Sequence, residues 1–430
     1  MMQEKNYRYK ILIIPGIFPF PPKDGGRICI YSFIEFLQQQ HQIHLFTPVS
    51  NRKEMDLVQE YKNKLPSVVF HTPEFITETQ NSLFIKFSSW CKKNAIHIKN
   101  WMTKKKAGKN SILNFKTNPS ELYEERYINE LLNLFEGNVF DIIQTEHTPA
   151  LNLITIFPSH SKKIFVSLES LHSIINDYAN LAQNIHKKYI RYIAENSKSI
   201  EYSFMEKYDA VFTLNQADCD EIKKQLPKIK VFNSPFPVLN SDILKVDIES
   251  FFFEKLVFLG GENHYPNLDA MEWFIKEVMP QIKNAHNLKL YITGSWQTKT
   301  IKYFKKINSN VVFTGFIDSI NLLLKNSISI VPIRLGGGGL RSKIITSMAS
   351  GAPIVTTSLA CTGLEAAHGK QYLIADSSKD FADAIESLID DEKIATTLIK
   401  NSTEYITSNF TQKVLSEKRN EFYDILVHNQ

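Results

Sequence analysis

Four consecutive glycines, at residues 336–339, stand directly before two cationic residues and an apolar helical pattern. Glycine allows a backbone to turn tightly or to approach a ligand closely. Arg341 and Lys343 fall in the first turn of the predicted helix, which we expect to begin near Leu340. The unpaired N–H groups of a helix start, together with the helix dipole, attract anions. The stretch therefore predicts an anion site, most simply for a phosphate group.

The same residues also fit a plain turn followed by two solvated cations, because short glycine-rich motifs are not specific. The predicted strand before the loop and the predicted helix after it position the loop. A strand is predicted at 327–332, and the helix face consists of Ile344, Ile345, Met348 and Ala349. Gly351 and Pro353 stop this helix, and a β-branched strand follows at 354–357.

A second glycine pair follows the first predicted strand of the chain. That strand covers residues 10–14, and Gly25 and Gly26 precede a helix whose apolar face includes Ile30 and Phe33. Further strands are predicted at 42–47, 68–70, 140–144, 163–168 and 210–214. Strands that alternate with helices indicate a mostly parallel sheet with helices on both faces.

The alternation stops near residues 235–250 and restarts at Lys255. We therefore predict an α/β protein of two doubly wound, Rossmann-like domains that face each other across a cleft. The expected domains are residues 1–240 and 250–408, with a C-terminal helix at 409–430 that crosses back to the first domain. The expected apolar stripe of this helix is Val414, Leu415, Phe422, Ile425 and Leu426.

Polar residues follow two strands of the first domain, at the sheet edge where open parallel sheets bind ligands. They are Glu146 and His147 after one strand and Glu169 and His172 after the other. Their residue types suit acid–base chemistry or hydrogen bonding to a substrate. Helix capping and loop solvation are the alternative roles for each of them.

Composition narrows the classes of partner. The 430 residues carry 50 Lys and Arg against 45 Asp and Glu, a net charge of +5. Nine lysines and no acidic residue lie within residues 79–120, so the rest of the chain is slightly acidic. One local basic surface argues against a general nucleic-acid binder. Four widely spaced cysteines indicate a reducing, cytoplasmic compartment and neither a disulfide framework nor a zinc site.

No apolar run approaches the roughly 20 residues needed to cross a bilayer. Within residues 84–116, however, aromatic and aliphatic residues share one helical stripe with lysines around it. This pattern fits an interfacial helix that contacts anionic lipid at the inner face of the membrane. It equally fits a helix that covers the first domain with its apolar side buried.

The chain resembles the group 1 glycosyltransferases, the family 4 retaining enzymes of the GT-B fold. Four stretches carry the resemblance: residues 20–37 (FPPKDGGRICIYSFIEFL), 260–282 (GGENHYPNLDAMEWFIKEVMPQI), 311–317 (VVFTGFI) and 332–365. The second and fourth are similar to the branch that acts in bacterial surface polysaccharide assembly. The resemblance implies transfer of a sugar from a nucleoside diphosphate sugar, bound in the C-terminal domain, to a glycan or lipid-linked acceptor. It also implies that no metal or other cofactor takes part.

Residue roles follow from the resemblance at the matching positions. Arg341 and Lys343 would offset charge on the leaving nucleotide, and Glu169 matches a catalytic position, with His172 and His147 as neighbouring candidates. Arg334 matches a further donor-binding position. The remaining implied donor contacts are Gly25, Gly26, Gly337, Gly338, Gly339 and the backbone of Leu340.

Two threonines depart from the family pattern. Thr346 and Thr362 stand where relatives have carboxylates, one of which grips the donor ribose. A threonine hydroxyl makes fewer hydrogen bonds to a diol than a carboxylate makes. Besides a glycosyltransferase, the sequence therefore leaves open a nucleotide-sugar epimerase of the same fold and a non-catalytic nucleotide-sugar-binding protein.

Overall fold

The computed structural model describes residues 8–22, 25–75, 122–181, 184–238, 253, 255–262, 264–283, 288–317, 319–336 and 340–428. Residues 84–116, with the predicted interfacial helix, lie outside these ranges. Among the described residues, no helix combines the length and the apolar composition needed to cross a membrane.

The first half of the chain forms a seven-stranded parallel sheet in the order β3-β2-β1-β4-β5-β6-β7. Its strands are β1 (Lys10–Pro15), β2 (Gln42–Phe46), β3 (Val69–His71), β4 (Ile142–Glu146), β5 (Lys162–Ser167), β6 (Ala210–Thr213) and β7 (Lys230–Asn233). Its helices are α1 (Gly25–Leu37), α2 (Arg52–Lys64), α3 (Glu125–Glu136), α4 (Leu171–Leu181), α5 (Asn184–Met205) and α6 (Gln216–Gln225). We call this part the N-terminal lobe.

The second half forms a six-stranded parallel sheet in the order β10-β9-β8-β11-β12-β13. Its strands are β8 (Lys255–Phe258), β9 (Lys289–Thr293), β10 (Val311–Gly315), β11 (Ser327–Val331), β12 (Ile354–Thr356) and β13 (Leu373–Ile374). Its helices are α7 (Tyr265–Trp273), α8 (Thr298–Ile307), α9 (Ile320–Leu324), α10 (Ser342–Ala349), α11 (Ser378–Asp390) and α12 (Glu392–Asn409). We call this part the C-terminal lobe.

Both lobes are α/β units with a doubly wound parallel sheet, as the alternation of strands and helices in the sequence predicts. The central strands are buried on both faces; β11, for example, is buried at every position. Helix starts follow local capping chemistry, since the side chain of Asn215 accepts a hydrogen bond from the N–H of Asp218 at the start of α6. The strand order reverses between β1 and β4 and again between β8 and β11. Ligands bind at such reversal points in open parallel sheets.

The last helix, α13 (Gln412–His428), packs against α1 of the N-terminal lobe. The Tyr423 hydroxyl donates to Oε1 of Gln144 at 2.8 Å, and Arg419 Nε donates to Oγ of Ser234 at 3.0 Å. The expected apolar stripe is partly wrong. Val414 and Ile425 are each 36% exposed, because the buried face is turned toward Arg419 and Tyr423 instead.

Candidate functional site

The two lobes contact each other through the loops that leave their sheets at the reversal points. Gly25 begins α1, and Gly26 follows it in the same turn. A Cβ atom added at Gly25 would lie 3.1 Å from Oγ of Ser342, the first residue of α10. Loop geometry therefore brings the N-terminal glycine pair next to the helix start that the sequence predicts to bind an anion.

The glycine run leads from β11 toward α10. Gly336 has a φ of +103°, a backbone conformation that favours glycine, and its added Cβ would lie 3.0 Å from Cγ of Pro266. The first turn of α7, which contains Pro266, thus forms one wall of the loop. The predicted contacts Gly337, Gly338 and Gly339 lie outside the described residues.

Helix α10 begins at Ser342, two residues later than the predicted start near Leu340. Leu340 is 8% exposed and packs in the core. Arg341 still has an extended backbone and occupies the position before the helix. Its Nη2 atom donates to the carbonyl oxygen of Gly336 at 3.2 Å, so the guanidinium folds back over the glycine loop.

Lys343 lies in the first turn of α10 beside Arg341. Its Nζ atom donates to Oδ1 of Asn267 at 2.6 Å and lies 4.8 Å from the ring centre of Phe258. Burial, reinforced by the charge of Arg341, lowers the pKa of Lys343 to about 7. Burial and the charge of Arg341 therefore disfavour the ammonium form, which an anion would stabilise.

His264, just before α7, joins these two cations and was not singled out from the sequence. Burial, followed by the charges of Lys343 and Arg341, lowers the pKa of His264 to about 4. The residue is nonetheless solvent-exposed. Arg341 opposes protonation of Lys343, and both cations oppose protonation of His264, so these surroundings favour negative charge. Only its place directly after a strand and before a helix start signalled His264 in the sequence.

The N-terminal lobe presents carboxylates to this cluster. Glu169 follows β5 and is open to solvent, yet enough protein surrounds it that desolvation raises the pKa of its carboxyl group. The charge of Arg341 opposes that rise, and Glu201 and Asp218 add to it. Burial also raises the pKa of Asp218, in α6, to about 6. Glu169 and Asp218 thus act electrostatically on Arg341 from the opposite lobe.

His172 lies in a closed ion-pair network. Its Nδ1 atom is 2.8 Å from Oε2 of Glu201, and its Nε2 atom is 3.3 Å from Oε1 of Glu221. Burial lowers the pKa of His172, but the hydrogen bonds to these carboxylates outweigh burial and raise it to about 9. The histidine is 5% exposed, so both ring nitrogens are used inside the lobe.

His147 follows β4 with a φ of +74°, a conformation that is uncommon for a residue with a side chain. Its N–H donates to the carbonyl oxygen of Val166 at 3.1 Å, and its side chain is half-buried. Backbone strain of this kind clusters at functional sites. Glu146, the preceding residue, is fully buried beneath this loop.

Arg334 is paired away from the cationic cluster. Its Nη2 atom lies 3.3 Å from Oδ2 of Asp269, and its guanidinium lies 4.7 Å from the ring centre of Trp273. Both partners belong to α7. This ion pair is the alternative to donor binding for Arg334.

The two threonines lie in different settings. Thr346 is half-buried on α10, one turn after Lys343. Thr362 is exposed, and its hydroxyl donates to the carbonyl oxygen of Ser358 at 3.3 Å. The next residue, Gly363, reaches the N-terminal lobe, because its added Cβ would lie 2.8 Å from Cβ of Asn215.

The described part of the chain holds no group of three or more His, Cys, Asp or Glu residues that could hold a metal ion. The site that the structure does assemble consists of basic groups from the C-terminal lobe, the Gly25 turn and carboxylates from the N-terminal lobe. Its basic groups suit an anionic ligand.

Comparison with known proteins finds a family match over part of the chain and a shared fold over nearly all of it. Residues 254–391 match the family model described as "Glycosyl transferases group 1". No curated protein sequence matches the chain. Among solved structures, a variant of TarM from S. aureus, in a complex that includes UDP, has a TM-score of 0.65 and 12% identity; the match covers 97% of this chain and 100% of that chain.

Two further structures share the arrangement. Sucrose-phosphate synthase from Thermosynechococcus elongatus has a TM-score of 0.64 and 13% identity over 98% of this chain and 100% of that chain. HepE from Anabaena, in complex with UDP and glucose, has a TM-score of 0.59 and 13% identity over 96% of this chain and 99% of that chain. At these identities the likeness establishes the fold. The protein therefore has the two-lobed GT-B fold, and residues 254–391 of its C-terminal lobe match the group 1 glycosyltransferase model.

Proposed function

We propose that the protein transfers a sugar from a nucleoside diphosphate sugar to a glycan or lipid-linked acceptor. We further propose that transfer retains the anomeric configuration, needs no metal ion and serves the assembly of a bacterial surface polysaccharide. The observation that carries the proposal is the crowding of Arg341, Lys343 and His264 at the start of α10, opposite Glu169. Crowded basic groups of this kind gain most from a ligand with two phosphates.

The cations would act on the leaving group. Transfer breaks the bond between the anomeric carbon and a diphosphate oxygen, and negative charge grows on the departing diphosphate. Arg341 and Lys343 are fixed before the reaction, by Gly336 and Asn267 respectively. Preset charges that face the developing charge stabilise a transition state without reorganisation cost. In this proposal they supply the charge compensation that a metal ion provides elsewhere.

Glu169 would bind the reacting sugars from the N-terminal lobe. Glu169 is solvent-exposed, and its carboxylate interacts electrostatically with Arg341 of the other lobe. A carboxylate there accepts hydrogen bonds from sugar hydroxyl groups and holds the acceptor against the anomeric carbon. Thr346, near Lys343 on α10, would make a single hydrogen bond to the donor ribose, whereas Thr362 is bonded to its own backbone.

The cell compartment follows from the thiols and the lysine-rich segment. Cys29, Cys219 and Cys361 are free and buried, which suits a reducing cytoplasm. We propose that residues 84–116 contact anionic lipid at the inner face of the membrane and bring the acceptor lobe to a lipid-linked substrate. Absence of co-sedimentation with anionic liposomes, even at low salt, would remove the membrane part of the proposal.

A thermal-shift screen of nucleoside diphosphates and their sugars tests donor binding directly. UDP is the first ligand to test, because TarM and HepE were solved with UDP. Binding to the folded state raises the melting temperature, and Arg341→Ala should remove that rise. Arg191→Ala, which changes an exposed arginine on α5, is the matched control and should leave it intact.

Turnover assays then separate the three candidate functions. Sugar transfer that depends on an added acceptor supports the glycosyltransferase. Conversion of the nucleotide sugar without acceptor would instead identify an epimerase. Donor binding without turnover in any acceptor panel would identify a non-catalytic binding protein. A wild-type chain whose melting temperature no nucleoside diphosphate raises would contradict all three.

A further inference from the structure

Asn267 is buried in the first turn of α7 and uses both ends of its side-chain amide. Its Oδ1 atom accepts from Nζ of Lys343 at 2.6 Å, and its Nδ2 atom donates to the carbonyl oxygen of Gly261 at 2.8 Å. The residue is 4% exposed. A buried amide with both ends satisfied has one defined orientation, so it fixes the partners on either side.

The loop after β8 is shaped around this amide. Gly260 has a φ of +149°, and a Cβ atom there would lie 2.6 Å from Nδ2 of Asn267. Its carbonyl oxygen accepts from Nε1 of Trp296 at 3.0 Å, which holds the loop from the other side. The close approach leaves room only for glycine at this position. The loop and the amide therefore hold each other rigidly.

The ammonium group of Lys343 requires a hydrogen-bond partner that fixes its position. Four rotatable carbons link its ammonium to the backbone, and the neighbouring charge of Arg341 repels it. The ring of Phe258 attracts the ammonium but offers no hydrogen bond. Asn267 supplies an uncharged acceptor, so it fixes the ammonium without neutralising it. An aspartate would hold the same atom but would cancel the charge that a phosphate needs.

We propose that Asn267 is a positioning residue for donor binding: its amide oxygen sets the ammonium of Lys343, and its amide nitrogen ties that arrangement to the loop at Gly261. The inference rests on the proposed function, because it assumes that Lys343 meets the diphosphate of the donor. Neither the family match nor the chain's resemblance to its relatives assigns this role to Asn267.

A double-mutant cycle tests the link between the two residues. UDP affinity is measured by calorimetry for the wild-type chain, Asn267→Ala, Lys343→Ala and the double variant. We expect Asn267→Ala to weaken UDP binding about tenfold, the size of a lost hydrogen bond to a charged group. In the Lys343→Ala background the same change should weaken binding less than about twofold, because the residue acts through the lysine. Asn308→Ala, at the opposite edge of the sheet, is the control.

The pH profile of UDP affinity separates positioning from mere support of the fold. Arg341 acts on Lys343 through its charge and Asn267 through a hydrogen bond, Lys343 in turn acts on His264, and Glu169 and Asp218 interact with Arg341 from the other lobe. Asn267→Asp places a carboxylate beside the ammonium, so the loss of affinity at alkaline pH should begin at a higher pH than in the wild type. If Asn267→Ala does not fold, Asn267→Asp still tests the inference through this pH profile.

Two results would overturn the inference alone. They are additive effects of the two alanine changes on UDP affinity, or an unchanged pH profile in Asn267→Asp, each with wild-type UDP binding intact. A wild-type chain that binds no nucleoside diphosphate would instead overturn the proposed function, and the inference with it. Binding by the wild type with strongly non-additive changes would support both.

Discussion

At the scale of single residues, the site is defined by how charge is held before any ligand arrives. Besides burial, Arg341 makes protonation of Lys343 harder, and both cations make protonation of His264 harder, so the pKa of each of these two groups is lowered. The repulsion between these positive charges falls when an anion binds beside them. The local charges therefore couple ligand binding to proton uptake.

The pKa of Lys343 gives the first prediction, that UDP affinity falls as the pH rises above about 7. Below that value the lysine is already protonated and can meet the phosphate. Above it, binding must first take up a proton, so affinity should fall by up to about tenfold per pH unit. Calorimetry from about pH 7.5 to pH 8.5, above the phosphate ionisation at about pH 6 and below the ionisation of the uracil ring, measures this slope.

Lys343→Met is the matched control for that slope, because it removes the titrating group but keeps most of the apolar stem. Its UDP affinity should be weak and nearly constant over the same pH range. A wild-type affinity that does not change with pH would contradict the protonation of Lys343 on binding.

His172 illustrates a residue whose chemistry serves stability. Its folded pKa of about 9 lies above the ordinary value of 6.5, so its contribution to stability is fully present below about pH 6.5 and is lost as the pH rises through 9. His172→Gln breaks the buried pair with Glu201 and should lower the free energy of unfolding by about 3 kcal/mol near pH 6. Urea denaturation at pH 6 and at about pH 9.5 measures the difference, which should shrink at the higher pH.

The exposed His160 provides the comparison for this measurement. His160→Gln should change the free energy of unfolding by less than about 0.5 kcal/mol at either pH. If His172→Gln were equally harmless near pH 6, the ion-pair network would not carry the stability assigned to it.

At the scale of elements, the two lobes contact each other at glycine residues, where the lack of a side chain allows close approach. Gly25 faces Ser342 of α10, and Gly363, in the loop after β12, faces Asn215 at the start of α6. Both contacts cross from one lobe to the other beside the cationic cluster. The spacing of the two lobes therefore depends on the absence of a Cβ atom at two positions.

Gly363→Ala tests that dependence. The added Cβ would lie 2.8 Å from Cβ of Asn215, so the lobes must move apart. We expect UDP affinity and turnover to fall at least about tenfold, because the bridging site is no longer closed. The control is Gly369→Ala. Gly369 has a similar φ of +74° but nothing within 4 Å, so its variant carries the backbone strain without the contact.

Both alanine variants should lose about 1 kcal/mol of unfolding free energy from backbone strain. Only Gly363→Ala should also lose function. Equal UDP affinity in the two variants would show that the contact between Gly363 and Asn215 does not set the lobe spacing.

Sequence patterns predict most strands to within two residues, because buried parallel strands are short apolar runs between polar loops. Strands β7 and β13 escape this reasoning, since each has only a few residues and no distinct pattern. The apolar pattern of residues 267–282 is that of one continuous helix, whereas the structure has α7 followed by a π-helical turn at Phe274–Val278. Apolar periodicity does not reveal such a change of hydrogen-bond register.

The sequence reveals the glycine run, Arg341 and Lys343 as a candidate site because they lie within eight residues of one another. His264 and Asn267 lie about 75 residues earlier in the chain, and only the pairing of β8 with β11 brings them to the same site. The same limit explains His172, whose carboxylate partners come from α5 and α6. Residue type suggests chemistry, but the partners that occupy a side chain appear only in the fold.

At the scale of the whole molecule, α13 packs on the N-terminal lobe through contacts that include the buried charged residues Arg419 and Glu146. Arg419 is fully buried, donates to Ser234 and lies 3.3 Å from the ring centre of Phe33. The buried carboxyl group of Glu146 has its pKa raised by burial and lowered by the charge of Arg419. Helix α13 and the strand that leads to His147 are thus coupled electrostatically inside the lobe.

Arg419→Met tests this coupling, because methionine fills much of the volume but leaves Glu146 without a compensating cation. We expect the free energy of unfolding to fall by about 3 kcal/mol and hydrogen exchange to quicken along residues 412–428. Adding Glu146→Gln removes the uncompensated charge and should recover a large part of the loss, since an uncharged buried pair avoids the cost of an unpaired ion. If the double variant were less stable than Arg419→Met alone, packing of the arginine against Phe33, and not its charge, would be what holds the helix to the lobe.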